Sequence, residues 1–446
     1  MKVIHSILGA FSEALAEGAV MLPNLMFVGL YYEHYGQTEF IMPFVLLYAF
    51  EKAGPFLLSG FGKLKNPYSV WLAGNITAIL GCVLMYFGNS VHILWDAGAI
   101  VIGLGLSCFA SSYRTVRDAI REKKIWLFGL SLYVGYLILG IYIVLVMAFR
   151  YVNMYTVITA ILILVSVSTI QCILLAGHNP YKGEPVLEKN TVRWDQFLLA
   201  MIILLFTYVI RLYKQTAGLG LIMWIAAGMI LLVATALVTR KNPYRGHSIR
   251  TLWYGAERNF VTIFSLIYFM AIGEYGKVTA AYVMIGLGVG LSKAAAPVCR
   301  KKIPEDKYEL FCIVAANVAS CLMLIPGTVC YKAGVLVTVV FVSMGNSRSI
   351  SAYLKDERFA FEERRLVRSR FYGLGAVVEQ AFMMSFFFIF SYFILGSGVD
   401  ALSAYTFRVA NADTTPVFFW SLLACIVLNT VSGLVIARKN TASTCS

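Results

Sequence analysis

Charge is what this sequence has least of. Asp, Glu, Lys and Arg make up 13% of its 446 residues, about half the share found in soluble globular chains. No stretch is left over that could form a soluble domain; the longest polar segments are 177–194, 240–252 and 353–370. Histidine is scarce too. His5, His34, His92, His178 and His247 all lie at the ends of apolar runs or in loops, which excludes a histidine proton relay deep in an apolar interior. The nine cysteines form no Cys-x-x-Cys pair and no Cys/His spacing suited to zinc, so no metal site is expected. Most of them (Cys82, Cys108, Cys172, Cys321, Cys425) sit inside apolar runs, where a thiol acts as a small hydrophobe and disulfides are not expected. No Ser/His/Asp ordering and no phosphate-cradling glycine loop occur, so the chain reads as a non-enzyme without a cofactor. The glycines of "GLGVG" (286–290) lie inside an apolar run, where they permit close helix packing or bending.

What fills the sequence is apolar: 59% of residues, in runs of the length a helix needs to cross a hydrocarbon core. Fourteen spans can be drawn, near 7–31, 40–62, 68–87, 94–113, 125–149, 153–176, 195–213, 217–239, 253–272, 277–297, 308–330, 332–352, 371–396 and 416–437. The first is interrupted by Glu13 and Glu17 and has no small-residue cleavage site after it, so it reads as a retained span rather than a signal peptide. The net charge of +14 does not call for nucleic acid, because the basic residues gather in alternate loops. The opposite loops hold only Arg150, Arg211, Lys214, Lys277, Lys332 and Arg408. By the positive-inside rule both termini face the cytoplasm, in a multi-pass protein of the plasma membrane.

Asn-Pro-Tyr occurs at 66–68, 179–181 and 242–244, each time beside basic residues. Proline interrupts the helical ladder and tyrosine suits the headgroup level, so the motif reads as a helix-exit device on the cytoplasmic face.

Two parts of the chain repeat one another. Tyr35-Gly36 matches Tyr275-Gly276 and Ala16-Glu17 matches Ala256-Glu257, each 257 − 17 = 240 positions on. Lys52 then matches Lys293, Pro55 matches Pro297 and Asn75 matches Asn317, at offsets that drift by one or two. Spans 1–6 and 9–14 therefore read as parallel six-helix copies with spans 7–8 inserted between them. The expected fold is an all-α polytopic membrane protein of 14 transmembrane helices. Its domains are a bundle over 1–176, loops plus the inserted pair over 177–252, and a second bundle over 253–446.

This arrangement resembles the major facilitator superfamily in its fourteen-helix form. That family's loop between spans 2 and 3 reads Gly-x-x-x-Asp-Arg-x-Gly-Arg-Arg; here "GFGKLKNPYSVW" (60–71) keeps Gly60 and the basic character but has no acidic residue to lock the loop to a neighbouring helix. Span 1 carries the family's mid-helix proline, Pro23, and the Gly-Pro pair of proton-coupled drug exporters is absent from span 5. The resemblance implies that spans 1, 4, 9 and 12 line a central cavity, whose polar residues would be Asn24, Ser107, Ser111, Ser112, Asn259 and Asn346.

Charges inside spans are candidates for function because they are costly to keep there. Glu17 with Lys52 and Glu257 with Lys293 form a duplicated acid–base set, readable as gating ion pairs or as static pins. Glu379 is the least compensated acid and is a proton-coupling candidate, with an ion pair to Arg258 as the plainer reading. Glu13, one turn before Glu17, and Glu51 are further coupling candidates. The function expected is a secondary transporter working by alternating access on a small amphipathic or lipid-like substrate, with export favoured over import and coupling to H⁺ or Na⁺. Flipping of lipids or lipid-linked saccharides is a second reading, and a non-transporting membrane sensor or assembly factor a third.

The topology has a direct check. In a background lacking native cysteines, Lys182→Cys and Lys301→Cys should react with a membrane-impermeant maleimide only after cells are permeabilised, whereas Lys332→Cys should react in intact cells. The reverse pattern would invert the assigned orientation.

Overall fold

In the computed structural model the chain is described over residues 2–19, 21–34, 38–123, 131–149, 152–188, 192–213, 217–242, 245–397 and 414–443. Its apolar runs are helical. In order they are α1 (Lys2–Gly18), α2 (Met21–Glu33), α3 (Met42–Gly60), α4 (Pro67–Tyr86), α5 (Ile93–Ser107), α6 (Phe109–Glu122), α7 (Ser131–Phe149) and α8 (Met154–Leu174). They continue as α9 (Trp194–Tyr213), α10 (Ala217–Lys241), α11 (Arg245–Ala271), α12 (Tyr275–Lys302), α13 (Glu305–Ser320), α14 (Thr328–Lys355), α15 (Phe361–Leu395) and α16 (Thr415–Ser443). Among the described residues nine helical segments, counting α5–α6 as one, are long and apolar enough to cross a membrane, or ten with the bent pair α1–α2. Helices suit this role because each satisfies its own backbone hydrogen bonds where water is absent.

The expected first span is broken into α1 and α2, which meet at a 58° bend. Pro23 is the third residue of α2; it offers no N–H to the preceding turn, a lack the first turn of a helix tolerates. The fourth span does not stop near 113, since α5 passes through Cys108 into α6 and ends at Glu122. Phe109, Tyr113, Val116 and Ile120 are all fully buried, the spacing of one helical face, and this apolar stripe holds a helix that carries five charged residues, Arg114, Arg117, Asp118, Arg121 and Glu122. Likewise α15 begins at Phe361, ten residues before the hydropathy-drawn edge.

The chain forms two compact units: Met1–Tyr208 together with Phe359–Arg370, and Val209–Arg358 together with Phe371–Ser446. In unit 1, α4 and α5 touch backbone to backbone. A Cβ on Gly74 would lie 2.6 Å from the Gly105 carbonyl oxygen and one on Gly105 would lie 2.7 Å from that of Gly74, so only glycine permits the approach. A buried polar knot ties α1, α4 and α8: Ser12 Oγ donates to Ser168 Oγ (2.9 Å), and Trp71 Nε1 and Asn75 Nδ2 both donate to that same hydroxyl (3.3 Å each).

The first Asn-Pro-Tyr opens a helix rather than closing one. Asn66 caps α4 by accepting from the Ser69 N–H (3.0 Å), with Pro67 at the first helical position. Asn66 Nδ2 also donates to the carbonyls of Tyr181 (3.2 Å) and Glu184 (3.1 Å), so the first motif docks on the second. Backbone bonds from Lys65 and Asn66 to Val186, and from Glu188 to Lys63, complete the seam. Of the third copy, Pro243 and Tyr244 lie outside the described residues, as do Tyr35 and Gly36 of the repeat.

In unit 2 the closest approach is between α11 and α15. A Cβ on Gly255 would overlap the Tyr372 carbonyl, and one on Gly375 would overlap the Leu252 carbonyl. Gly288 packs against Leu336 and Val339 of α14, while Gly290 faces open space. Gly375→Val should therefore destabilise the protein by about 1–3 kcal/mol, and Gly290→Val should leave it unchanged, as read from thermal unfolding midpoints in detergent. Equal midpoints for the two variants would show that the α11–α15 contact does not limit stability.

Candidate functional site

Two clusters of ionisable side chains lie inside the helices, one in each unit. In unit 1 the acids come from α1. Glu13, 2% exposed, receives Arg114 of α6 through Nε (3.2 Å) and Nη2 (3.0 Å), and Arg117 Nη1 at 2.6 Å. Glu17, one turn on, receives Arg114 Nη2 at 2.7 Å and the Tyr136 hydroxyl of α7 at 2.9 Å. Arg117 also pairs with Asp118 (3.2 Å), and Asp118 is bonded in turn by Arg365 from the first turns of α15. Three carboxylates thus meet three guanidiniums, and the fork geometry of arginine lets one cation bridge two acids. The backbone is shaped for this: a Cβ on Gly135 would lie 3.0 Å from the Ala10 carbonyl and 3.0 Å from Glu13 Cβ, so α7 lies against the acidic face of α1.

The same α15 segment supplies what the loop between α3 and α4 lacks. Glu363 accepts from the Leu64 N–H (3.3 Å), Leu366 packs with Leu64, Val70 and Cys108, and Arg370 Nη1 donates to Gln196 (2.6 Å). The carboxylate absent from residues 60–71 is provided from the opposite side of the contact.

The structure pairs the duplicated acid–base set differently from the sequence expectation. Glu17 is bonded to Arg114 and Tyr136, while Lys52 meets its neighbour Glu51 (2.8 Å) and lies over the Tyr48 ring. In unit 2 Glu257 is fully buried and neither of its oxygens has a hydrogen-bond partner, whereas Lys293 lies on an exposed face of α12. A lysine long enough to reach the interface does so rather than enter the core. Glu379 is 2% exposed with its Oε1 unpartnered, and no ion pair joins it to Arg258 among the described residues. Glu257 and Glu379 instead stand near each other, with Asn429 and Cys425 of α16 beside both.

The residues expected to line a cavity are mostly engaged. Ser107 and Ser111 donate back to carbonyls of their own chain (Leu104, 2.7 Å; Cys108, 2.9 Å), and Asn259 Nδ2 donates to the Ala376 carbonyl of α15 (2.9 Å). Asn24 Oδ1 and Ser112 Oγ are buried without a partner, and Asn346 is half-buried on α14. Sequence reasoning missed Arg114, Arg117 and Tyr136 because the arginines were assigned to a cytoplasmic loop. The signal that could have found them is the buried stripe of α6.

No protein-family model matches the chain, and no curated protein matches it. Solved structures do. An auto-inhibited POT family peptide transporter superposes at a TM-score of 0.58 and 13% identity, over 98% of this chain and 96% of that one. The POT family transporter PepTSo gives 0.61 and 9%, over 98% and 97%. A mutant of the nucleoside transporter NupG gives 0.50 and 13%, over 99% of each. At these identities the likeness is one of fold: the chain has the all-helical, multi-pass membrane fold of these transporters.

The unit 1 cluster makes a quantitative prediction. Glu13→Ala leaves two buried guanidiniums short of a partner and should cost about 3–5 kcal/mol. Adding Arg117→Ala should recover part of that loss, so that the double variant unfolds at a higher denaturant concentration than the sum of single effects gives. Strict additivity would mean that the two side chains do not interact.

Proposed function

We propose that the chain is a secondary transporter of the major facilitator type, moving a small amphipathic molecule across the membrane by alternating access. The observation that carries this reading is the pairing of two compact helical units with a full-length likeness to peptide and nucleoside transporters. In this reading the helices make fourteen spans, with α9 and α10 as the pair inserted between two parallel six-helix halves. Parallel features support the repeat. Asn75 on α4 bonds to α8, as Asn317 on α13 accepts from Thr430 of α16 (3.0 Å).

The substrate we favour is small and carries charged ends. Glu17 and Arg114 are a directly bonded acid–base pair of the unit 1 cluster that is partly open, with about a quarter and a fifth of their side chains accessible. They form the kind of acid–base pair whose members an ammonium and a carboxylate could each engage in turn. Peptide-like molecules have that chemistry, and the structural neighbours include a POT family transporter bound to a thioalcohol-conjugated peptide. Both termini lie in the cytoplasm and the membrane is the plasma membrane in this reading.

Counterflow tests it. Proteoliposomes preloaded with unlabelled di- or tripeptide should take up the labelled compound faster than empty ones, and Glu17→Gln or Arg114→Ala should lower that rate by about tenfold or more. Comparison of inside-out with right-side-out vesicles gives the direction. A peptide that raises the thermal midpoint but shows no counterflow would mark the chain as a membrane sensor instead.

A further inference from the structure

Four described acids of unit 2 are paired with bases, and Asp306 and Glu357 are exposed to solvent. Glu309 pairs with Arg250 (3.3 Å), Asp356 with Arg358 (2.5 Å), Glu305 with Arg348 (3.8 Å), and Glu274 with Lys277. Glu257 and Glu379 are neither paired with a base nor exposed. Glu257 is 0% exposed with both oxygens unpartnered, and Glu379 is 2% exposed with Oε1 unpartnered. Asn429 is also 2% exposed, and its Nδ2 has no partner although the side chain stands beside both carboxyl groups.

Three helices hold this group closed. The glycine contacts Gly255–Tyr372 and Gly375–Leu252 press α11 onto α15, and Asn259 fastens them through the Ala376 carbonyl. Trp253 donates to the Asn429 carbonyl (2.9 Å), which fixes α16 against α11. Glu257 lies one helical turn beyond Trp253 on the same face, and Glu379 one turn beyond Gly375. Among the described residues, Cys425 and Asn429 of α16 lie beside the two acids. The charges of the other packed helices are directed elsewhere: Arg348 of α14 and Glu309 of α13 have the partners given above, and Lys293 of α12 is exposed.

Two ionised carboxylates cannot share such a site. Burial penalises each charge, and each charge penalises the other. An acid so placed neutralises unless a cation joins it. We propose that Glu257 and Glu379 form a proton-binding pair, holding at least one proton between them, with Asn429 Nδ2 placed to donate to whichever oxygen is ionised.

The contrast with unit 1 sharpens the assignment. Glu17 and Glu257 are repeat-related at 240 positions, and Tyr136, which bonds Glu17, lies 379 − 136 = 243 positions before Glu379. At matching places in the two halves, unit 1 answers the glutamate with a phenol and a guanidinium, and unit 2 answers it with a second carboxyl group. That the held proton couples to transport rests on the transporter reading; that it is held does not.

The test uses the purified full-length protein in detergent and dicyclohexylcarbodiimide, an apolar reagent that modifies protonated carboxyl groups. Mass spectrometry should place the adduct on Glu257 or Glu379, in a yield that falls by about tenfold or more between about pH 6 and about pH 9 and is the same in sodium and potassium buffers. Protection by sodium would overturn the proposal in favour of a metal-cation site. Absence of an adduct on both residues at every pH, when the unfolded chain is labelled, would also overturn it, provided a second measurement agrees. That measurement is the thermal midpoint. The native pair binds more protons than the unfolded chain, so the wild-type midpoint should fall as pH rises through this window, and Glu379→Gln, which keeps the shape and removes one acid, should flatten the fall. An unchanged slope would mean that the pair does not hold the proton. A positive label without counterflow would leave the proton site standing and remove the transporter.

Discussion

An ionised side chain inside a membrane has to be answered by something, because the lipid cannot answer it. That single constraint organises the ionisable interior of this protein. In unit 1 it draws α1, α6, α7 and the start of α15 together around three acids and three arginines. Arginine serves here where lysine would not. Its planar fork gives Glu13 and Glu17 separate hydrogen bonds from one cation, and the guanidinium does not lose its charge on burial. Lys52, inside α3 of the same half, meets the acid beside it in sequence and the Tyr48 ring one turn away.

The helices can meet those demands only because they come close, and closeness is a matter of small residues. Gly74 with Gly105, and Gly255 and Gly375 with the carbonyls facing them, bring backbones to a separation that any Cβ would forbid. Such contacts substitute for a hydrophobic drive that lipid does not provide between helices. They also define where the polar groups sit. The α11–α15 contact is what sets Glu257 and Glu379 side by side, so the packing creates the electrostatic problem that the site then has to solve.

How much of this was legible in the sequence follows from the same physics. Apolar runs announce helices, and α4, α8, α9 and α10 fall within a few residues of the runs that predict them. Glu17 and Glu257 stood out because a charge in an apolar run is conspicuous. Their partners did not. Arg114 sits where hydropathy falls, and a hydropathy window reads falling values as a loop, while the buried stripe Phe109–Tyr113–Val116–Ile120 holds the helix for two more turns. Sequence proximity misled in the other direction for Asn-Pro-Tyr. The proline marks a boundary, but whether a helix ends or begins there depends on the asparagine, whose side chain in the first copy caps α4. The Glu363–Leu64 contact is between residues 299 positions apart, and nothing in the loop itself encodes it.

The two clusters then differ in what they can do. A network of acids answered by arginines keeps its charge state over a wide pH range, because each member stabilises the ionised form of its neighbours. It can break and re-form geometrically, but it does not store an ion. A pair of carboxyl groups without a cation has the opposite character: its charge state is the variable, and its geometry is pinned by Trp253, Asn259 and the glycine contacts. A transporter driven by an ion gradient needs both kinds of element, one that rearranges with the substrate and one that fills and empties with the ion. If the repeat arose from two equal halves, an acid on α15 in place of the phenol on α7, together with the loss of the α6 guanidinium, would separate those roles. It converts a site that is always answered from within the protein into one that has to be answered from solution.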